Sequence, residues 1–116
     1  MKIYIAGKVT GAGTFAEVTM KFGAAQVEVQ KRGHYAINPL EVVSQWYDQE
    51  PRPYRFLQTP WHTCMRLCIA ALMQAEAVYM LPCWQNSRGA QLEHTIATAL
   101  QLPIFYQLSA VPHEKV

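Results

Sequence analysis

The stretch Lys2-Ile3-Tyr4-Ile5-Ala6-Gly7-Lys8, followed a few residues later by the segment from Thr14 to Gly33, decides the fold. Residues 2 to 6 alternate and are mostly β-branched or aromatic, which predicts a strand, and Gly7 to Thr14, with three glycines, predicts a loop. From Thr14 to Arg32 the apolar residues Phe15, Val18, Phe22, Ala25 and Val29 recur at i, i+3, i+7, i+10 and i+14, one face of a helix that Gly33 ends. A strand, a glycine loop and an amphipathic helix make the first half of a β-α-β unit.

Downstream the same alternation continues. Tyr35 to Asn38 predicts a short strand stopped by Pro39, and residues 39 to 60 carry Pro39, Pro51, Pro53 and Pro60, which predicts a long loop with room for a short helix around Glu41 to Tyr47. Trp61 to Gln74 predicts a second helix, with Trp61, Cys64, Met65, Cys68 and Leu72 on one side. Ala77 to Leu81 predicts an apolar strand stopped by Pro82. Ser87 suits the N-cap of a third long helix reaching about Gln101, and Pro103 to Leu108 predicts a last strand before a polar tail. Helices alternating with short, nearly continuous apolar strands imply an α/β protein: a small flavodoxin-like (Rossmann-like) three-layer fold with a four- or five-stranded parallel sheet. In such sheets ligands sit at the carboxyl ends of the strands, where the strand order reverses. That points to two loops, Gly7 to Thr14 and Pro82 to Gly89. The spacing around Gly7-Lys8 is wrong for a phosphate-binding P-loop. The glycines there serve close backbone approach or positive φ, or form a plain turn.

The 116 residues, 51% of them hydrophobic, are expected to form one domain over 1–116 that buries about two thirds of its unfolded surface. The net charge of +2 comes from scattered Lys and Arg, so no nucleic acid polymer and no membrane is expected as partner. The apolar run after Met1-Lys2 is too short for a signal peptide or membrane helix, and a cytoplasmic location is expected. Cys64, Cys68 and Cys83 are odd in number, which in a reducing compartment predicts buried thiols and no disulfide. Cys64 and Cys68, four apart, share a helix face, and with His62 they can be read as metal ligands. No second cysteine pair at zinc spacing supports them, so no metal is expected.

Two features bear on chemistry. On a helical wheel Ala90, Glu93, Ile96, Ala97 and Leu100 share one arc, with Gln91, His94, Thr95, Thr98 and Gln101 opposite, so Glu93 lies within the apolar stripe. A carboxylate facing a core is costly unless it is bonded, paired or facing a polar pocket, which leaves Glu93 either structural or functional. At the start of the same helix the Ser87 hydroxyl, the first amides and the positive end of the helix dipole converge on a point that suits an anion. Gly89 leaves the backbone unobstructed, and Arg88 either adds charge or is solvated. A plain helix cap is the other reading of Ser87.

The segments Ile3-Tyr4-Ile5-Ala6-Gly7-Lys8, Ile37-Asn38-Pro39 and Leu81-Pro82-Cys83-Trp84-Gln85-Asn86-Ser87-Arg88-Gly89-Ala90-Gln91-Leu92-Glu93 together resemble small phage and bacterial proteins of the nucleoside 2-deoxyribosyltransferase-like superfamily. The resemblance spans nearly the whole chain. It implies that Glu93 attacks the anomeric carbon of a deoxyribosyl group, that Ser87 helps hold a 5′-phosphate with Arg88 and Gly89 beside it, and that Tyr4, Ala6 and Gly7 line the sugar and base. It further implies a nucleoside or nucleotide as ligand, no cofactor, and a homodimer or larger homo-oligomer.

This chain departs from the pattern at Cys68, where active relatives carry an aspartate that contacts the base and assists its departure. A thiol is a poor substitute for that carboxylate, and His62 or Asp48 are the candidates to replace it. Glu76 begins the third strand, at the wrong end of the sheet. Three readings follow: a glycosidase or deoxyribosyl transferase, a non-catalytic nucleotide binder that senses or sequesters, and an interaction protein using the aromatics Trp46, Tyr47, Tyr54, Phe56 and Trp61.

Overall fold

The computed structural model describes residues 1–9, 13–47, 52–82 and 84–114. Four strands, β1 (Lys2–Ala6), β2 (Tyr35–Ile37), β3 (Ala77–Met80) and β4 (Ile104–Phe105), form one sheet in the order β2-β1-β3-β4. All three pairings are parallel, with Tyr4 opposite Ile37 on one side and Val78 on the other. This is the expected flavodoxin-like arrangement, with four strands. Its strand order reverses between β1 and β3, so the loops that follow these two strands border the same crevice.

The helices are α1 (Phe15–Lys31), α2 (Pro39–Tyr47), α3 (Arg55–Gln58), α4 (Trp61–Leu72) and α5 (Arg88–Ala99). Thr14 caps α1, its hydroxyl oxygen accepting from the Glu17 amide at 3.2 Å. Gly33 closes α1 at φ +90°, a conformation that only glycine adopts without strain. The alternation along β1 divides the core in two. Ile3 and Ile5, with Ala77, Tyr79 and Leu81, meet Val18, Phe22, Ala25 and Val29 of α1. Tyr4 and Ala6, with Val78 and Met80, meet Val43 of α2, Cys64, Cys68 and Leu72 of α4, and Ala90 and Ala97 of α5.

Four expectations need adjustment. The short helix expected around Glu41 to Tyr47 is α2, which starts two residues earlier at Pro39, and a second, unexpected short helix, α3, precedes Pro60. Pro39 starts a helix as well as stopping a strand, because the first helical position has no amide to satisfy. Asn38 completes the start, its Oδ1 accepting from the Leu40 amide at 3.0 Å while its Nδ2 donates to Gln26 at 3.1 Å. The last strand is only Ile104–Phe105, an edge strand that pairs with β3 alone. The tail is also less solvated than its polarity suggests. Val111 is buried, the Pro112 carbonyl lies 2.6 Å from His34 Nε2, and the Glu114 amide donates to the Arg32 carbonyl at 2.8 Å. On α5 the buried residues are Ala90, Glu93 and Ala97, whereas Leu100 is exposed because the helix has ended before it. Among the described residues no helix is long and apolar enough to cross a membrane.

Candidate functional site

Tyr4 reaches the crevice because alternation along β1 turns it toward α4 and α5, where it is fully buried. Helical spacing brings Glu93 to the same place from α5, with 5% of its surface exposed. The Tyr4 hydroxyl donates to Oε2 of Glu93. Burial pushes the Glu93 carboxyl up to about 7, and the Tyr4 hydrogen bond, which favours the charged form, pulls the other way. Burial pushes the Cys68 thiol up to about 12, with the negative charge of Glu93 adding to the shift. Tyr4 itself is raised well above the usual phenol range, by burial first and by Glu93 second. Of these three acids only Glu93 ionises near neutral pH, while Tyr4 stays a donor and Cys68 a thiol. A desolvated carboxylate held by one phenol is suited to act as a nucleophile or a base.

Ser87 is the N-cap of α5, its Oγ accepting from the Ala90 amide at 3.1 Å. The capping reading is therefore correct and leaves the anion reading standing. The hydroxyl can still donate its proton, and the amides of Arg88 and Gly89 lie in the first turn, where a helix offers no acceptor. Gly89 also lets α4 approach closely, since a Cβ there would lie 3.0 Å from Met65 Sδ. At Gly7 a Cβ would lie 2.9 Å from Cβ and from Cδ1 of Leu81, so of the readings open for this glycine, close approach is the one realised.

Tyr4, Gly7, Cys68, Ser87, Gly89 and Glu93 line one cavity together with Val9, Pro39, Phe56, Trp61, Met65 and Ala90. Its volume is about 60 Å³, room for roughly two waters. Two of the expected residues lie outside the lining. Ala6 is buried in the strand end, its carbonyl accepting from the Leu81 amide at 2.8 Å, and Arg88 is exposed with its guanidinium 4.0 Å above the Trp61 ring. His62 is exposed and does not line the cavity, and Asp48 and Cys83 fall outside the described residues. The metal spacing is not realised. Cys64 Sγ donates to the carbonyls of Phe56 and Thr59 at 3.6 Å each, and among the described residues no group of three His, Cys, Asp or Glu side chains could hold a metal ion.

Phe56 belongs to the aromatic group that the sequence marks as a contact surface or a cover for the cleft, and it lines the cavity, whereas nothing periodic in their segments marks Pro39 and Val9 as site residues. Trp61 and Met65 were on the recognised stripe of α4, but a helical stripe does not tell core from cleft. On the outer side of α5, His94 stacks on Trp84 with ring centroids 4.2 Å apart, and its Nε2 lies 2.8 Å from the Tyr106 hydroxyl.

A family model described as a domain of unknown function, DUF4406, matches residues 1–106. The chain belongs to this family. The match covers all four strands and five helices, so each residue lining the cleft of this DUF4406 chain lies within it. No curated protein and no solved structure gives a significant match.

Proposed function

We propose that the cleft binds a nucleoside or nucleotide and that Glu93 attacks the anomeric carbon of its deoxyribosyl group. The observation that carries this reading is a carboxyl group buried among apolar neighbours, hydrogen-bonded to Tyr4 and poised near neutral pH beside an open helix N-terminus. In the first step the Glu93 carboxylate forms an ester with the sugar carbon and the base departs with the bonding electrons, taking up a proton. In the second step water, or another base, takes the sugar and restores the carboxylate, as in retaining glycosidases. Tyr4 holds the attacking group in place, and Ser87 with the amides of Arg88 and Gly89 receives a 5′-phosphate. The likeness to nucleoside 2-deoxyribosyltransferase-like proteins supports the same assignment, a cytoplasmic location and a homo-oligomeric state. No metal or cofactor enters these steps. A ligand of this size needs more room than the present cavity, so Trp61 and Phe56 swing outward as it enters.

Cys68 supports a second reading, a non-catalytic nucleotide binder. Its thiol, raised to about 12, does not protonate a leaving base near neutral pH. One experiment separates the two. Incubation with deoxynucleoside monophosphates is expected to release free base slowly. Glu93→Gln is expected to abolish release while binding survives, and Cys68→Asp to increase it. Binding without release by either the wild type or Cys68→Asp would establish the binder instead.

A further inference from the structure

The sheet face under α1 is short of a helix. Three helices, α2, α4 and α5, cover the opposite face, whereas here α1 and the tail leave a groove of about 560 Å³ whose floor includes Phe22, Ala25, Tyr79 and Leu81, with Leu108 at its side. Lys21 and Glu28 of α1 stand on the rim. Along the outward side of α1, beside its charged residues, Met20 is 73% and Val27 47% exposed. A parallel sheet requires cover on both faces, and an apolar groove with exposed apolar side chains nearby marks a contact site.

What covers it is written in the charges of α1. Glu17, Lys21, Glu28 and Lys31 flank the exposed Ala24, and with it they fall within an arc of about 80° on the helix surface. Their signs run minus, plus, minus, plus. The reversed order is plus, minus, plus, minus, so a second α1 laid antiparallel about a twofold axis at Ala24 sets Glu17 against Lys31 and Lys21 against Glu28, twice each. A parallel pairing would set like against like. Glu28 and Lys31 already approach within 3.3 Å in the same helix, but both are exposed, and such a pair holds its partners only weakly. Small Ala24 at the pivot lets two helices come close, with Met20 and Val27 alongside.

We infer that this face docks a second copy of the chain through antiparallel α1–α1 packing. The inference is independent of the catalytic reading. Sedimentation velocity on the full chain is expected to show twice the monomer mass of 13.2 kDa, with dissociation favoured by salt. Lys21→Glu and Glu28→Lys each replace two attractions per dimer by two repulsions and are expected to weaken dimerisation by about tenfold or more. Mixing the two variants restores opposite charges at both contacts, so the mixture is expected to form the dimer that neither forms alone. Should either variant lose the helical signal in circular dichroism, Ala24→Arg at the exposed pivot takes its place and is expected to be monomeric. A monomeric wild type, dimers indifferent to these substitutions, or a mixture that stays monomeric would each overturn the inference.

Discussion

The two faces of the sheet are built from alternate residues of the same strands, yet they solve different problems. Ile3 and Ile5 meet the apolar stripe of α1, Val18, Phe22, Ala25 and Val29, a dry contact where packing dominates. Tyr4, one position along, meets a face that also takes in Glu93 and Cys68, and there burial and charge work against each other. The first face stabilises the fold at no chemical cost. The second gives up stability to keep a carboxylate out of water, which is the arrangement expected where a group must react.

The largest effect is expected on the dry face. Phe22 is almost wholly buried among α1, β1 and β3, and Phe22→Ala should cost about 3 to 5 kcal/mol in denaturant unfolding, independent of pH. A cost below 1 kcal/mol would show that the groove beside it relaxes and that this face is not a packed core.

On the other face the expected effect depends on pH. The Glu93 carboxyl sits near 7 in the folded chain against 4.5 for a free one, so between those values the folded state binds more protons than the unfolded state. The stability tied to this group is therefore present below about 4.5 and is lost as pH rises through about 7. From pH 5 to pH 8 the wild type should lose roughly 2 to 3 kcal/mol through Glu93, and Glu93→Gln should not. Parallel unfolding curves of the two proteins across that range would contradict the burial argument.

The smallest effect tests the helix start. Ser87→Ala removes one charge-assisted hydrogen bond and should weaken monophosphate binding by about 1 to 2 kcal/mol while leaving nucleoside binding nearly unchanged. Equal loss for both ligands in a titration would make Ser87 a cap and nothing more.

The fold was legible because its signals are local. The alternation of β1, the stripe of α1, the glycine at 33 and the cap at Ser87 each depend on residues within a few positions of one another. Glu93 was legible for the same reason, as a charge out of place on an apolar stripe. What was missed depends on distant partners. The helix around Glu41 to Tyr47 was legible but its start at Pro39 was not, because the benefit of Pro39 at a helix start is seen only once Asn38 is known to cap it. The bond between Tyr4 and Glu93 joins residues 89 positions apart, and no local pattern encodes it. Phe56 enters the cleft from a segment without periodicity, carried there by the packing of α2, α3 and α4.

The contact between Gly7 and Leu81 has a mechanical meaning. With no space for even a methyl group between them, and with the Leu81 amide bonded to Ala6, the ends of β1 and β3 are held close together beside Tyr4 and its partner Glu93. The opposite side of the cleft is α3 with the start of α4, where Phe56 and Trp61 stand and the Arg88 guanidinium lies over the Trp61 ring. The Tyr4–Glu93 pair thus stands on the closely packed side of the cleft, and under the proposed function a ligand enters against the aromatic side.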